Sequence, residues 1–110
     1  MNYTISINQF AGEKHFPTLD IIDLAIFDYL RNFYPTANKY TDTIGVWFWV
    51  SHSKIINDMP KLKIKSKAGI IKRINNLIDC EIINRHPNTK NLGKSYYKIG
   101  SKWNLLIKID

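Results

Sequence analysis

A chain of 110 residues is long enough for one domain with a modest core and needs no covalent staple. An apolar fraction of 45% that includes three Trp, six Tyr and five Phe excludes a disordered basic tail, and a single cysteine, Cys80, excludes an internal disulfide and a thiolate metal cluster. The net charge of +7 is unevenly placed: residues 1–50 hold three basic against five acidic side chains, a balance of −2, and residues 51–110 hold thirteen against four, a balance of +9, so one half is expected to face a polyanion. No stretch approaches the roughly 18 apolar residues of a spanning helix, and the amino terminus lacks a basic region followed by a long apolar run. Secretion and membrane insertion are disfavoured, and a cytoplasmic setting is expected.

In chain order, Tyr3, Ile5 and Ile7 alternate with polar residues and predict a short strand, available as an added edge. Residues 8–17 contain Gly12 and Pro17 and read as a loop, with His15 on its surface. Thr18 is a candidate N-cap for an amphipathic helix whose apolar face carries Leu19, Ile22, Ile26, Tyr29, Leu30 and Phe33, ending before Pro35. Asp20 and Asp23 in its first turns form a solvated face, with no second ligand cluster to make them a metal or acid–base pair.

Residues 35–45 read as a turn-rich connection, and VWFWV at 46–50 as a strand covered on both faces. Trp47 and Trp49 belong to the core on this reading, the alternative being a stacking platform for single strands. Ser51 caps a short helix with Ile55, Ile56 and Met59 that stops before Pro60, and the Ser51-His52-Ser53 run lacks the acidic partner a nucleophile would need.

The connection PKLKIK at 60–65 alternates Lys61, Lys63 and Lys65 with Leu62 and Ile64, which places the aliphatic pair on the core and the lysines toward solvent. Ser66 caps the next helix, 66–79, whose core face is Ile70, Ile71, Ile74, Leu77 and Ile78. Its other side presents Lys67, Ala68, Gly69, Lys72, Arg73, Asn75 and Asn76. Small residues permit close approach to a groove, while Lys, Arg and Asn supply donors for base edges or phosphates. Two strands follow, 82–86 and 95–99, around an eight-residue loop with Lys90 and Lys94. Arg85 and Lys98 flank the loop, and His86 has no role beyond a phosphate contact. Cys80 reads as a small buried hydrophobe. Trp103, Leu105, Ile107 and Ile109 alternate, so a closing strand is preferred over a helical turn, and this apolar edge, if unpaired, would serve a homodimer.

Helix, lysine-bearing turn, second helix and hairpin together make an α+β fold: a helix-turn-helix with a wing, built from three helices and a small antiparallel sheet in one domain. The division is 1–17 as strand and loop, 18–100 as core and 101–110 as closing strand. From Trp49 onward the chain resembles the winged helix-turn-helix superfamily, with Ser66 at the cap, Ile70, Ile74 and Leu77 at core positions of the reading helix and Ile82-Ile83 opening the wing. The phrases WVSHSKIINDMPKLKIKSKAG and GKSYYKIG are similar to the amino-terminal winged-helix domains of phage and mobile-element replication proteins. Family members usually carry Gly where Glu81 stands. Together with the basic half of the chain, the resemblance leads to the expectation of a non-catalytic module that binds double-stranded DNA sequence-specifically in replication initiation or transcriptional control, without cofactor or metal. A winged helix that instead docks a replication, host or effector protein is the alternative.

Overall fold

The computed structural model describes residues 4–87 and 95–107. Among them are four α-helices, α1 (Gln9–His15), α2 (Ile21–Phe33), α3 (His52–Asp58) and α4 (Lys67–Asp79), and four strands, β1 (Lys39–Thr41), β2 (Val46–Trp49), β3 (Ile83–Arg85) and β4 (Tyr96–Ile99). The strands form one antiparallel sheet in the order β1-β2-β4-β3.

The central element is α2. Every residue from Asp23 to Tyr29, and Leu30 after it, is buried, because α2 is covered on two sides. One side receives α1. The Asn8 side chain caps α1 by accepting from the Ala11 N–H at 3.0 Å. Gly12 then lies so close to α2 that an added Cβ would stand 2.8 Å from Leu24 Cδ1. The expected loop at 8–17 is therefore a helix, its glycine serving close approach and not a turn. The other side of α2 meets α4 and the sheet, where Phe48, Ile55, Ile70, Ile74, Leu77, Ile82 and Ile83 share one core.

Helix starts and stops follow local chemistry. Asp20, not Thr18, caps α2: its side chain accepts from the Asp23 N–H at 2.9 Å and the Asp23 side chain accepts from the Asp20 N–H at 3.1 Å. Ser51 caps α3 and Ser66 caps α4, as expected. Pro35 falls in a short 3-10 turn, Tyr34–Thr36, that ends α2.

The extra edge strand comes from inside the chain. Within the stretch expected to be only a turn, Lys39–Thr41 pairs with β2, Lys39 opposite Phe48 and Thr41 opposite Val46. Residues 4–7 form no strand; the Ser6 N–H donates to the Asp28 carboxylate at 3.1 Å and ties this segment to α2. The closing strand is also replaced. Trp103–Leu106 is a 3-10 turn that buries Trp103 and Leu106, three residues apart, and leaves Leu105 exposed. The Trp103 ring meets Phe27 edge-on at 4.9 Å. Neither described terminal segment thus offers a strand edge for dimerisation; Tyr3 and Ile109 lie outside the described residues.

Candidate nucleic-acid interface

After α3, whose Ile55 and Met59 are buried, Pro60–Leu62 makes a 3-10 turn and Lys63 takes the left-handed conformation, φ +60°. That reversal lets Leu62 and Ile64 pack on the core while Lys61, Lys63 and Lys65 stand exposed. Ser66 then starts α4, accepting from the Gly69 N–H at 3.1 Å. Gly69 is half-buried beneath the turn, where an added Cβ would stand 2.8 Å from Ile64 Cγ2, so its small size serves packing within the protein.

Along α4, Ile70, Ile74 and Leu77 are buried, and Lys67, Ala68 and Lys72 point to solvent. Arg73 and Asn76 turn back onto α2. The Arg73 guanidinium pairs with Asp20 and, at 3.3 Å, with Asp23; the Asn76 amide donates to Asp23 at 3.1 Å. Asp23 is 1% exposed, so the reading of Asp20 and Asp23 as a solvated face is corrected: they join two helices. Burial pushes the Asp20 carboxyl up, but the Asp23 N–H bond and the hydrogen bond and charge of Arg73 outweigh it and hold Asp20 below its ordinary range.

Asn75 is half-buried, and its side-chain oxygen accepts from Arg85 on β3. Arg85 stands opposite Tyr97 in the sheet. The Tyr97 hydroxyl lies 3.0 Å from His52 Nε2 at the start of α3. Burial pushes the Tyr97 hydroxyl up, against the opposing pull of Arg85. The His52 imidazole is pushed below its ordinary value by burial first, and then by the positive charges of Lys67 and Arg85. His52 thus registers a positive field where α3, α4 and the hairpin strands converge. No sequence signal marked it, because its partners are 15 to 45 residues away.

The remaining candidates are placed elsewhere. Lys98 alternates with Tyr97 and lies on the opposite sheet face, where its Nζ donates to the Ile44 carbonyl at 3.1 Å and sits 5.6 Å over the Trp47 ring. His86 is buried at 4% exposure, its Nε2 2.8 Å from Asp42 and its ring 4.5 Å from Trp47, which corrects the suggestion of a phosphate contact. Lys90 and Lys94 lie outside the described residues.

What marks the α4 surface is the grouping of its lysines with no carboxylate among them. Among the described residues no carboxylate pairs with Lys61, Lys63, Lys65, Lys67 or Lys72, whereas Lys54 pairs with Asp58 and Lys102 with Glu81. The unneutralised charge runs from the turn along the first half of α4, beside the positive end of the helix dipole. Such a surface attracts phosphates. Among the described residues no helix is long and apolar enough to cross a membrane, and no group of three or more His, Cys, Asp or Glu could hold a metal ion. No family model, no curated protein and no solved structure matches the chain.

Proposed function

We propose that the protein is a non-catalytic, double-stranded DNA-binding module of winged helix-turn-helix type, with α4 directed to the major groove and the preceding turn on the phosphate backbone. The connectivity supports the architecture: α2, then β2, then α3 and α4 joined by a short turn, then the hairpin β3–β4 with β2 as the third strand beside β4. The observation that carries the reading is the row of five exposed lysines free of described carboxylate partners. An internal protein face has no use for that much uncompensated charge, while a duplex supplies one phosphate charge about every 1.7 Å of axis. Replication initiation or transcriptional control in a phage or mobile element is the setting the motif resemblance suggests.

A mobility-shift titration tests the reading. Duplex is expected to be retained at about 50 mM salt, with affinity falling on the order of 500-fold at about 200 mM if all five lysines meet phosphates. Absence of a shift at the lower salt overturns it.

A second reading has its own observation. Tyr40, Ile44 and Val46 on the β1–β2 hairpin are exposed apolar side chains, 39%, 52% and 44% accessible. They favour a protein-docking role for that hairpin, and pull-down with replacement of Ile44 and Val46 by Ser distinguishes it from duplex binding.

A further inference from the structure

We propose that this interface holds duplex DNA by its backbone and discriminates weakly between base sequences. The inference rests on the duplex-binding reading above and adds which part of the duplex is recognised.

Sharp base reading in the major groove relies on side chains that make two hydrogen bonds at once, Arg to guanine O6 and N7 or Asn to adenine N6 and N7. Four side chains of this kind lie on or beside α4: Arg73, Asn75, Asn76 and Arg85. All four are committed within the protein. Arg73 pairs with Asp20 and Asp23 of α2, and the Asn76 amide nitrogen donates to both Asp23 oxygens at 3.1 and 3.4 Å. Asn75 accepts at its side-chain oxygen from Arg85, so one amino group of Arg85 is held in the same contact.

These bonds are not readily exchanged for bonds to a base. If Arg73 or Asn76 left Asp23, a carboxylate 1% exposed would lose one of its few partners, a loss comparable to what a base contact returns. Adenine recognition by Asn75 needs its oxygen as acceptor for N6–H and its amide as donor to N7 together, and the bond from Arg85 to one lone pair of that oxygen fixes the amide in the orientation that serves the protein. What faces outward without such a partner is Lys61, Lys63, Lys65, Lys67 and Lys72 with the methyl of Ala68; Arg85 is exposed as well but is tied to Asn75. A lysine is a flexible point charge that meets any phosphate and prefers no base strongly.

Selection of retained duplexes from a random pool, using the whole chain at about 50 mM salt, decides the matter. The expected result is retained DNA with no common motif, and unrelated duplexes of equal length bound within about fivefold of one another, less than one bidentate base contact would produce. Recovery of a motif whose duplex outbinds its shuffled counterpart by more than that overturns the inference and leaves duplex binding intact. Failure to retain any duplex overturns both, and the two failures are told apart by the presence of bound DNA.

Discussion

The carboxylate of Asp23 and the guanidinium of Arg73, 50 residues apart in the chain, meet at 3.3 Å across α2 and α4. Asp23 also completes the α2 capping box and accepts from Asn76, so one buried carboxylate holds the helix start and the α2–α4 packing. Asp23→Ala should cost about 2–4 kcal/mol, since it leaves Asn76 without its acceptor and Arg73 with Asp20 alone, and removes half of the cap. Asp20→Ala, at a side chain 54% exposed, should cost only about 1 kcal/mol. Urea unfolding midpoints of the two variants check the ranking.

Charge without a partner should matter more for binding than charge within a pair. Lys67→Ala and Lys72→Ala are each expected to weaken all duplexes alike and to reduce the slope of log affinity against log salt by about 1. Lys54→Ala and Lys102→Ala, whose lysines pair with Asp58 and Glu81, should leave affinity and slope unchanged. A fluorescence-anisotropy titration at several salt concentrations separates the two groups.

Binding should draw a proton onto His52. The groups facing it are Lys67 on α4, Arg85 on β3 and Tyr97 on β4, and the two cations help hold its value below the ordinary 6.5. Phosphates near Lys67 and Arg85 would screen that push and raise the His52 value in the complex. Duplex affinity is therefore expected to strengthen as pH falls below about 6.5, and His52→Gln should flatten the profile. Folding runs the opposite way: the unfolded chain binds this proton more readily, so His52 lowers stability as pH falls through the same range.

Asp42 controls acid stability of the β1–β2 hairpin. Bonds from His86 and Trp47 Nε1, and from the N–H groups of Ile44 and Gly45, hold its carboxyl down to about 2 from 3.8. A value depressed in the folded state gives stability that is fully present above about 3.8 and is lost as pH falls through about 2. Trp fluorescence during an acid titration should report this loss next to Trp47. Asp42→Asn should make it shallower without removing it, because Asp20 acts in the same direction.

The exit of α4 is closed by backbone. Glu81 is left-handed, φ +61°, a conformation that glycine adopts without cost, so here a side chain bears the strain of the turn. Glu81→Gly should change stability by no more than about 0.5 kcal/mol, relief of strain offsetting glycine's flexibility and the lost exposed pair with Lys102. Gly100→Ala should cost about 1–3 kcal/mol or more, because its Cβ would stand 2.7 Å from the Ile82 carbonyl carbon and 2.8 Å from its oxygen. Thermal denaturation of both variants tests the contrast.

Elements with a strong local signal were legible before the fold was known. The Ser51 and Ser66 caps, the three- and four-residue spacing of Ile70, Ile74 and Leu77, and the strands β3 and β4 depend on neighbours along the chain. Misread segments were short ones whose state was set by distant partners. Residues 9–15 became a helix because Gly12 fits against Leu24, residues 39–41 became a strand because β2 offered an edge, and residues 103–106 coiled because Trp103 found Phe27.

The same division applies to the candidate interface. The sequence alone determined that a lysine-bearing turn precedes a capped amphipathic helix and that the basic excess lies in that half of the chain, because periodicity and charge are local or additive. Only the tertiary structure decided which polar side chains of that helix are free. Arg73, Asn75 and Asn76 share the polar side of α4 with Lys67 and Lys72, and nothing in their spacing distinguishes them. Asp23 and Arg85, brought in from α2 and β3, take up the first three and leave the lysines, because a buried carboxylate and a hydrogen-bonding guanidinium must be satisfied by whatever the packing places beside them.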